Sequence, residues 1–99
     1  MNLPVRLRPA ARDEYDEAVD WFESRRQGDG GKFIDAIQAT FDRLAANPRM
    51  HGVVRGDVRR AIVGRYKYYC VYYRVRSDHV EVLSVFHASR DPGDWQSRI

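Results

Sequence analysis

The sequence predicts an α+β fold, ordered β-α-α-β-β-β, with a helical hairpin packed on one face of a small antiparallel-rich sheet. Three observations predict it. Apolar residues recur at helical spacing up to Asn47-Pro48 and alternate after it. Two short turn sequences, Gly64-Arg65 and Ser77-Asp78, divide the alternating stretch into three. A glycine run, Gly28-Asp29-Gly30-Gly31, divides the helical stretch into two. At 99 residues the chain suits one domain, residues 1–99, with one modest core.

Taken in order, Leu3 to Leu7 reads as a short first strand. Pro9 suits the first turn of a helix, where a missing N–H costs nothing. Ala11, Tyr15, Ala18, Val19 and Phe22 then form one face. Asp13, Glu14, Asp16 and Glu17 favour the early turns electrostatically, and Arg25 and Arg26 suit the end. A second helix carries Phe33, Ile37, Phe41 and Leu44 on one face and stops before Pro48, because the residue before proline resists the helical region. These aromatic and aliphatic stripes are expected to be core. Asp57 to Val63, Tyr66 to Arg76 and His79 to His87 read as strands, and both helices are expected on one face of their sheet.

Alternation sorts the strand residues by face. Val58, Arg60, Ile62, Tyr69, Val71, Tyr73, Val75, Val80, Val82, Ser84 and Phe86 are expected under the helices, with Arg60 reaching an edge or pairing with a helix acid. Arg59, Ala61, Val63, Tyr66, Tyr68, Cys70, Tyr72, Arg74, Arg76, Glu81, Leu83, Val85 and His87 are expected on an open face, where arginine, tyrosine and histidine interleave.

The net charge of +3 conceals an asymmetry. Residues 10–47 hold nine acids and five bases, whereas residues 49–76 hold eight bases and one acid, Asp57. Fifteen of the seventeen bases are arginines, whose planar fork grips carboxylate or phosphate. Arginine richness by itself has a plain source in GC-rich coding, but coding bias does not cluster charge. The second half therefore looks built to meet an anion, either nucleic acid or an acidic protein.

Some function classes are disfavoured. No apolar run approaches the length needed to span a bilayer, and the first residues lack a signal-peptide stretch, so no membrane association is expected. Cys70 is the single cysteine, which fits a reducing cytoplasm and a buried structural thiol. The three histidines are scattered, so no metal or other cofactor is expected. Gly28 to Gly31 lies between helices, not in the strand-to-helix setting of a phosphate loop.

The most informative segment is the end of the third of these strands. Val82-Leu83-Ser84-Val85-Phe86 delivers His87, followed by Arg90 and then Asp91-Pro92, a helix-start signal. Groups at a strand end are held rigidly yet reachable. Hairpin arithmetic sets His87 opposite about Tyr68, and Tyr68 opposite about Ala61, with Arg59 one diagonal step away. The three would form a metal-free ribonuclease site: His87 carrying a proton, Arg59 meeting phosphate and Tyr68 stacking on a base. The plainer alternative is that His87 only caps the strand end.

Over nearly its whole length the chain resembles the RelE/ParE superfamily of toxins from bacterial type II toxin–antitoxin systems. The resemblance rests on Ala10-Ala11-Arg12-Asp13-Glu14-Tyr15-Asp16-Glu17-Ala18, Asn47-Pro48, Asp57-Val58-Arg59-Arg60, Tyr68-Tyr69-Cys70-Val71-Tyr72-Tyr73-Arg74-Val75 and Val82 to Pro92. It implies a cytoplasmic growth inhibitor, bound by a cognate acidic antitoxin whose tail follows the helical hairpin, in a toxin–antitoxin hetero-oligomer. The long hairpin and the His-x-Ser-x-Asp end resemble the ParE branch more, which implies DNA gyrase as target. Arg60, Arg74, Arg76, Arg90 and Trp95 would then bind the target or an anion. The RelE branch instead implies ribosome-dependent mRNA cleavage by His87, Arg59 and Tyr68. A homologue without toxicity that only binds an antitoxin is a third implication.

Overall fold

Pro48 does divide the chain in the computed structural model, which describes residues 2–99; Met1, first residue of the expected domain, lies outside the described residues. The elements are β1 (Val5–Leu7), α1 (Pro9–Arg25), α2 (Asp29–Ala46), β2 (Val53–Arg55), β3 (Val58–Ile62), β4 (Tyr69–Val75), β5 (Val80–His87) and α3 (Gly93–Gln96). The fold is α+β as the pattern predicts, with β2 added and with the short α3 following the helix-start signal at Asp91-Pro92. The sheet runs β1-β5-β4-β3-β2; β1 lies parallel to β5 and the other pairs are antiparallel.

The hairpin of helices forms for local reasons. Pro9 opens α1. Its first turn holds no acid, so Asp13, Glu14, Asp16 and Glu17 fall beyond the turn where the helix dipole favours them. Gly28 takes φ 92°, a left-handed conformation that glycine adopts without strain, and turns the chain into α2. The Glu23 carboxylate accepts the N–H groups of Gly28 and Gly30 at 3.0–3.1 Å, so an anion meets the positive end of α2. A Cβ at Gly30 would sit 2.9 Å from Glu23 Oε1 and 3.0 Å from the Val19 carbonyl, so the close approach of the helices requires glycine there. Phe33, Ile37, Phe41 and Leu44 are buried as their spacing predicts, together with Thr40.

The faces of the sheet are sorted differently from simple alternation. On β4, Tyr69, Val71, Tyr73 and Val75 do pack toward the helices, and the Tyr73 hydroxyl donates to the Pro48 carbonyl at 2.7 Å. On β3 the faces are exchanged: Ala61 joins the helical core with Val63, just past the strand end, while Val58 turns away. The cause is the connection between β3 and β4. Residues 63–68 lie outside both strands, so Ala61 pairs with Val71 and not near Tyr68. A register change by an odd number of residues moves a whole strand to the other face.

On β5 the cause is a bulge. Tyr72 pairs with Ser84 and Tyr73 with Val82, which leaves Leu83 as an extra residue. Before it, Val80 and Val82 face the helices as expected. After it the phase inverts: Val85 enters the helical core and Phe86 the opposite face. That opposite face is not open. Val58, Cys70, Tyr72, Leu83 and Phe86 form a second cluster on it, which Trp95 of α3 covers.

One carboxylate holds this arrangement at its edge. β1 ends opposite Val82, so the rest of β5 has no strand beside it there. Glu14, whose side chain is 5% exposed, occupies that edge. Its Oε1 accepts the Val85 N–H at 3.2 Å, the Ser84 hydroxyl at 2.9 Å and Arg98 Nη1 at 2.7 Å; its Oε2 pairs with Arg90 Nη1 at 2.6 Å. Helix, strand end and C-terminal segment thus meet on one side chain.

Removing one partner of such a network strands the others, and losses of roughly 3–5 kcal/mol are typical. Glu14→Ala should fall near the low end, because Arg90 is 37% exposed and can turn to water. Glu14→Gln keeps the shape and an acceptor and should cost less. Urea unfolding measures both, and an unchanged midpoint for Glu14→Ala would refute the role given to this residue.

Candidate functional site

His87 ends β5 opposite Tyr69, not Tyr68, and it lies on the helical side of the sheet. The edge of its ring meets the Tyr69 ring at 4.8 Å between centroids. Its Nδ1 accepts the Ser89 N–H at 3.0 Å and lies 2.7 Å from the Ser89 hydroxyl. Accepting that N–H assigns Nδ1 the unprotonated role, so in the neutral ring the hydrogen is on Nε2. The turn after β5 therefore caps His87 locally, while its other nitrogen has no partner among the described residues.

The expected trio is not assembled. Tyr68 is in the turn before β4, 63% exposed, with its ring 6.3 Å from that of His87. Arg59 is far along the sheet: it pairs with Tyr73, four residues along β4 from Tyr69. Its guanidinium donates to the carbonyls of His51 at 2.6 Å and Arg49 at 3.1 Å, so it anchors the segment that leads into β2.

The other expected binding residues divide into two groups. Arg60 is exposed on the far side of the sheet, opposite Tyr72, and among the described residues pairs with no helix acid. Arg76 lies 3.3 Å from Glu81 at the surface. The rest are built into the fold. Arg74 is buried with Nε 3.3 Å from Asp57, though without an aligned hydrogen bond. Arg90 is held by Glu14 and by Asp94 at 3.2 Å. Trp95 is buried and stacks on Tyr72, 3.9 Å between centroids and 12° from parallel. Its packing stabilises the far face and leaves little ring to offer a partner. Cys70 is buried there too, and burial pushes its thiol pKa up, which suits an inert structural cysteine.

What the fold does assemble around His87 is a cleft of ≈ 590 Å³. Its walls include Trp21 and Phe22 of α1, Tyr66 and Tyr68 of the β3–β4 connection, Tyr69, His87 and Ser89. Arg65, Lys67 and Arg90 add cations. A smaller recess beside it holds Glu14 and Glu17. Trp21, Arg65 and Lys67 were not singled out by reading the sequence. Trp21 had a signal: it stands beside the apolar stripe of α1, which leaves it half exposed. Glu14 had one as well, since it lies between Ala11 and Ala18 at helical spacing on the buried face. Among the described residues, no group of three or more His, Cys, Asp or Glu side chains is placed to hold a metal ion.

Comparison with known proteins adds a family. Residues 5–92 match the model of the ParE toxin of the type II toxin–antitoxin system parDE. A solved structure described as the chromosomal ParDE TA system from P. aeruginosa superposes with a TM-score of 0.73, covering 86% of this chain and 95% of that one. Identity is 13%, so this likeness is one of fold. No curated protein matches the chain in sequence.

His51 supplies a pH prediction. Burial, and then the Arg43 charge, lower its pKa from the ordinary 6.5. Its Nε2 is buried without a partner. The fold thus favours the neutral ring. The stability this contributes is complete above the unfolded value and is lost as pH falls through the lower folded value. His51→Leu should flatten the decline in melting temperature on the acid side of about 6.5. An acid limb of unchanged slope would count against it.

Proposed function

Because the chain belongs to the ParE toxin family of type II toxin–antitoxin systems, we propose that it inhibits growth by binding DNA gyrase and that a cognate antitoxin neutralises it. The observation that favours a binding mechanism over RNA cleavage is the separation of Arg59 from His87. Cleavage without a metal needs a proton carrier and a cation at one phosphate. Arg59 instead bonds two backbone carbonyls four residues along the sheet from the His87 pair. A protein inhibitor has no such need, because its affinity comes from a few anchors within a surface. The cytoplasm is the compartment of such a target, and a toxin–antitoxin hetero-oligomer is the neutralised form we expect. Arg60, exposed and without an acidic partner among the described residues, is our candidate anchor.

Ribosome-dependent mRNA cleavage remains the second reading on one observation: His87 keeps a free ring nitrogen in a cationic, aromatic cleft. Arg65 or Lys67 would then replace Arg59 at the phosphate.

Expression of the chain alone should arrest growth, and coexpression of a cognate acidic antitoxin should restore growth. Unimpeded growth on soluble expression would instead indicate a non-toxic homologue. With purified gyrase the chain should block supercoiling. Arg60→Glu should weaken that inhibition roughly tenfold at unchanged melting temperature, while His87→Ala should retain most of it. In-frame cuts on translated messages, abolished by His87→Ala, would overturn the gyrase reading.

A further inference from the structure

The cleft beside His87 contains groups that the fold itself does not use. Its ≈ 590 Å³ lies within the range of small-ligand sites, about 300–1,000 Å³. Two large rings border it with much of their surface exposed, Trp21 at 51%, with the Arg25 guanidinium over one face and 5.0 Å from the ring centre, and Tyr68 at 63%. Arg65 and Lys67 line it, and neither has an acidic partner among the described residues. The Lys67 ammonium stands 5.9 Å from the centre of the Tyr68 ring, which puts a cation beside an aromatic face. Arg65 has φ 68°, a left-handed conformation that long side chains rarely adopt, although its neighbour is Gly64. The turn thus spends its strained position on an arginine and not on the adjacent glycine. His87 completes the set with Nε2–H.

These groups share a chemistry: flat apolar faces and hydrogen-bond donors. We propose that this cleft binds a nucleotide, with the base against Trp21 and Tyr68 and the phosphate at Arg65 and Lys67. Aromatic rings accept any base by stacking. A guanidinium fork and an ammonium together match a phosphate, which offers only acceptors. The His87 Nε2–H adds a donor for a phosphate or base oxygen. An acidic peptide fits less well. Running on past His87, it would meet the Glu17 carboxylate in the adjoining recess, where Glu14 already engages Arg90. A nucleotide is compact and needs only the cationic half. The ligand is either a free nucleotide or the terminal unit of a strand, and no cleavage is required.

The chain has two tryptophans, Trp21 exposed and Trp95 buried, so their indole N–H signals report separately by NMR. The whole chain, labelled at tryptophan, is titrated with adenosine monophosphate, adenosine, a short single-stranded RNA and an acidic apolar hexapeptide. Adenosine monophosphate should move the Trp21 signal and leave that of Trp95 in place. The double change Arg65→Ala with Lys67→Ala should weaken it by roughly tenfold or more without weakening adenosine. Tyr68→Ala should weaken both nucleotide and nucleoside. Circular dichroism checks that the variants fold, and all three residues are at the surface. Much tighter binding of RNA identifies a strand as the source; equal binding identifies the free nucleotide. Three results would overturn the site: no movement of Trp21 with either ligand at millimolar concentration, binding indifferent to the double change, or movement with the hexapeptide alone.

Discussion

A single buried carboxylate sets the terms for the rest of the structure. Glu14 substitutes for a strand that is missing beside β5, accepting a backbone N–H and a hydroxyl there. Two arginines then neutralise it, Arg90 and Arg98, and both come from the segment after the sheet. A buried carboxylate is costly unless paired and hydrogen-bonded, so the segment that brings the arginines is drawn back onto the sheet. That return places Trp95 on Tyr72 and closes the far face. The helix, the unpaired strand edge and the covered face are therefore one problem with one solution.

The extra residue Leu83 has an effect out of proportion to its size. Alternation along a strand has period two, so a single insertion sends all later side chains to the opposite face. Without it, His87 would lie on the far side with Arg60 and Tyr72. With it, His87 lies beside Tyr69 and opens into the cleft under Trp21. The chemical setting of the histidine is decided by the bulge, and the residues around it follow.

The basic second half of the chain serves two ends. Arg59 and Arg74 join Arg90 and Arg98 as internal supports, bonded to carbonyls or paired with acids. Arg60, Arg65 and Lys67 remain turned outward. The clustering of bases thus overstates the anion-binding surface, because a planar fork is as useful for tying loops together as for holding a phosphate.

Reading the sequence was sufficient for the fold class, the hairpin of helices, the stripe Phe33-Ile37-Phe41-Leu44, the inward face of β4 and the family. Those features are local or repeat regularly, and burial of an apolar stripe has few solutions. The short β2, the cover supplied by α3 and the separation of Arg59 from His87 were decided by tertiary structure alone. The strand features depend on register, which is set by loop lengths and bulges that carry no periodic mark, and the α3 cover depends on the distant pairing of Arg90 and Arg98 with Glu14. Glu14 shows the limit most clearly. Its place on the buried stripe was visible, but its partners Ser84, Arg90 and Arg98 lie 70 to 84 residues away. Only the folded chain brings them within hydrogen-bonding distance, so only the fold could reveal that this acid is a structural centre and not one more charge on a helix.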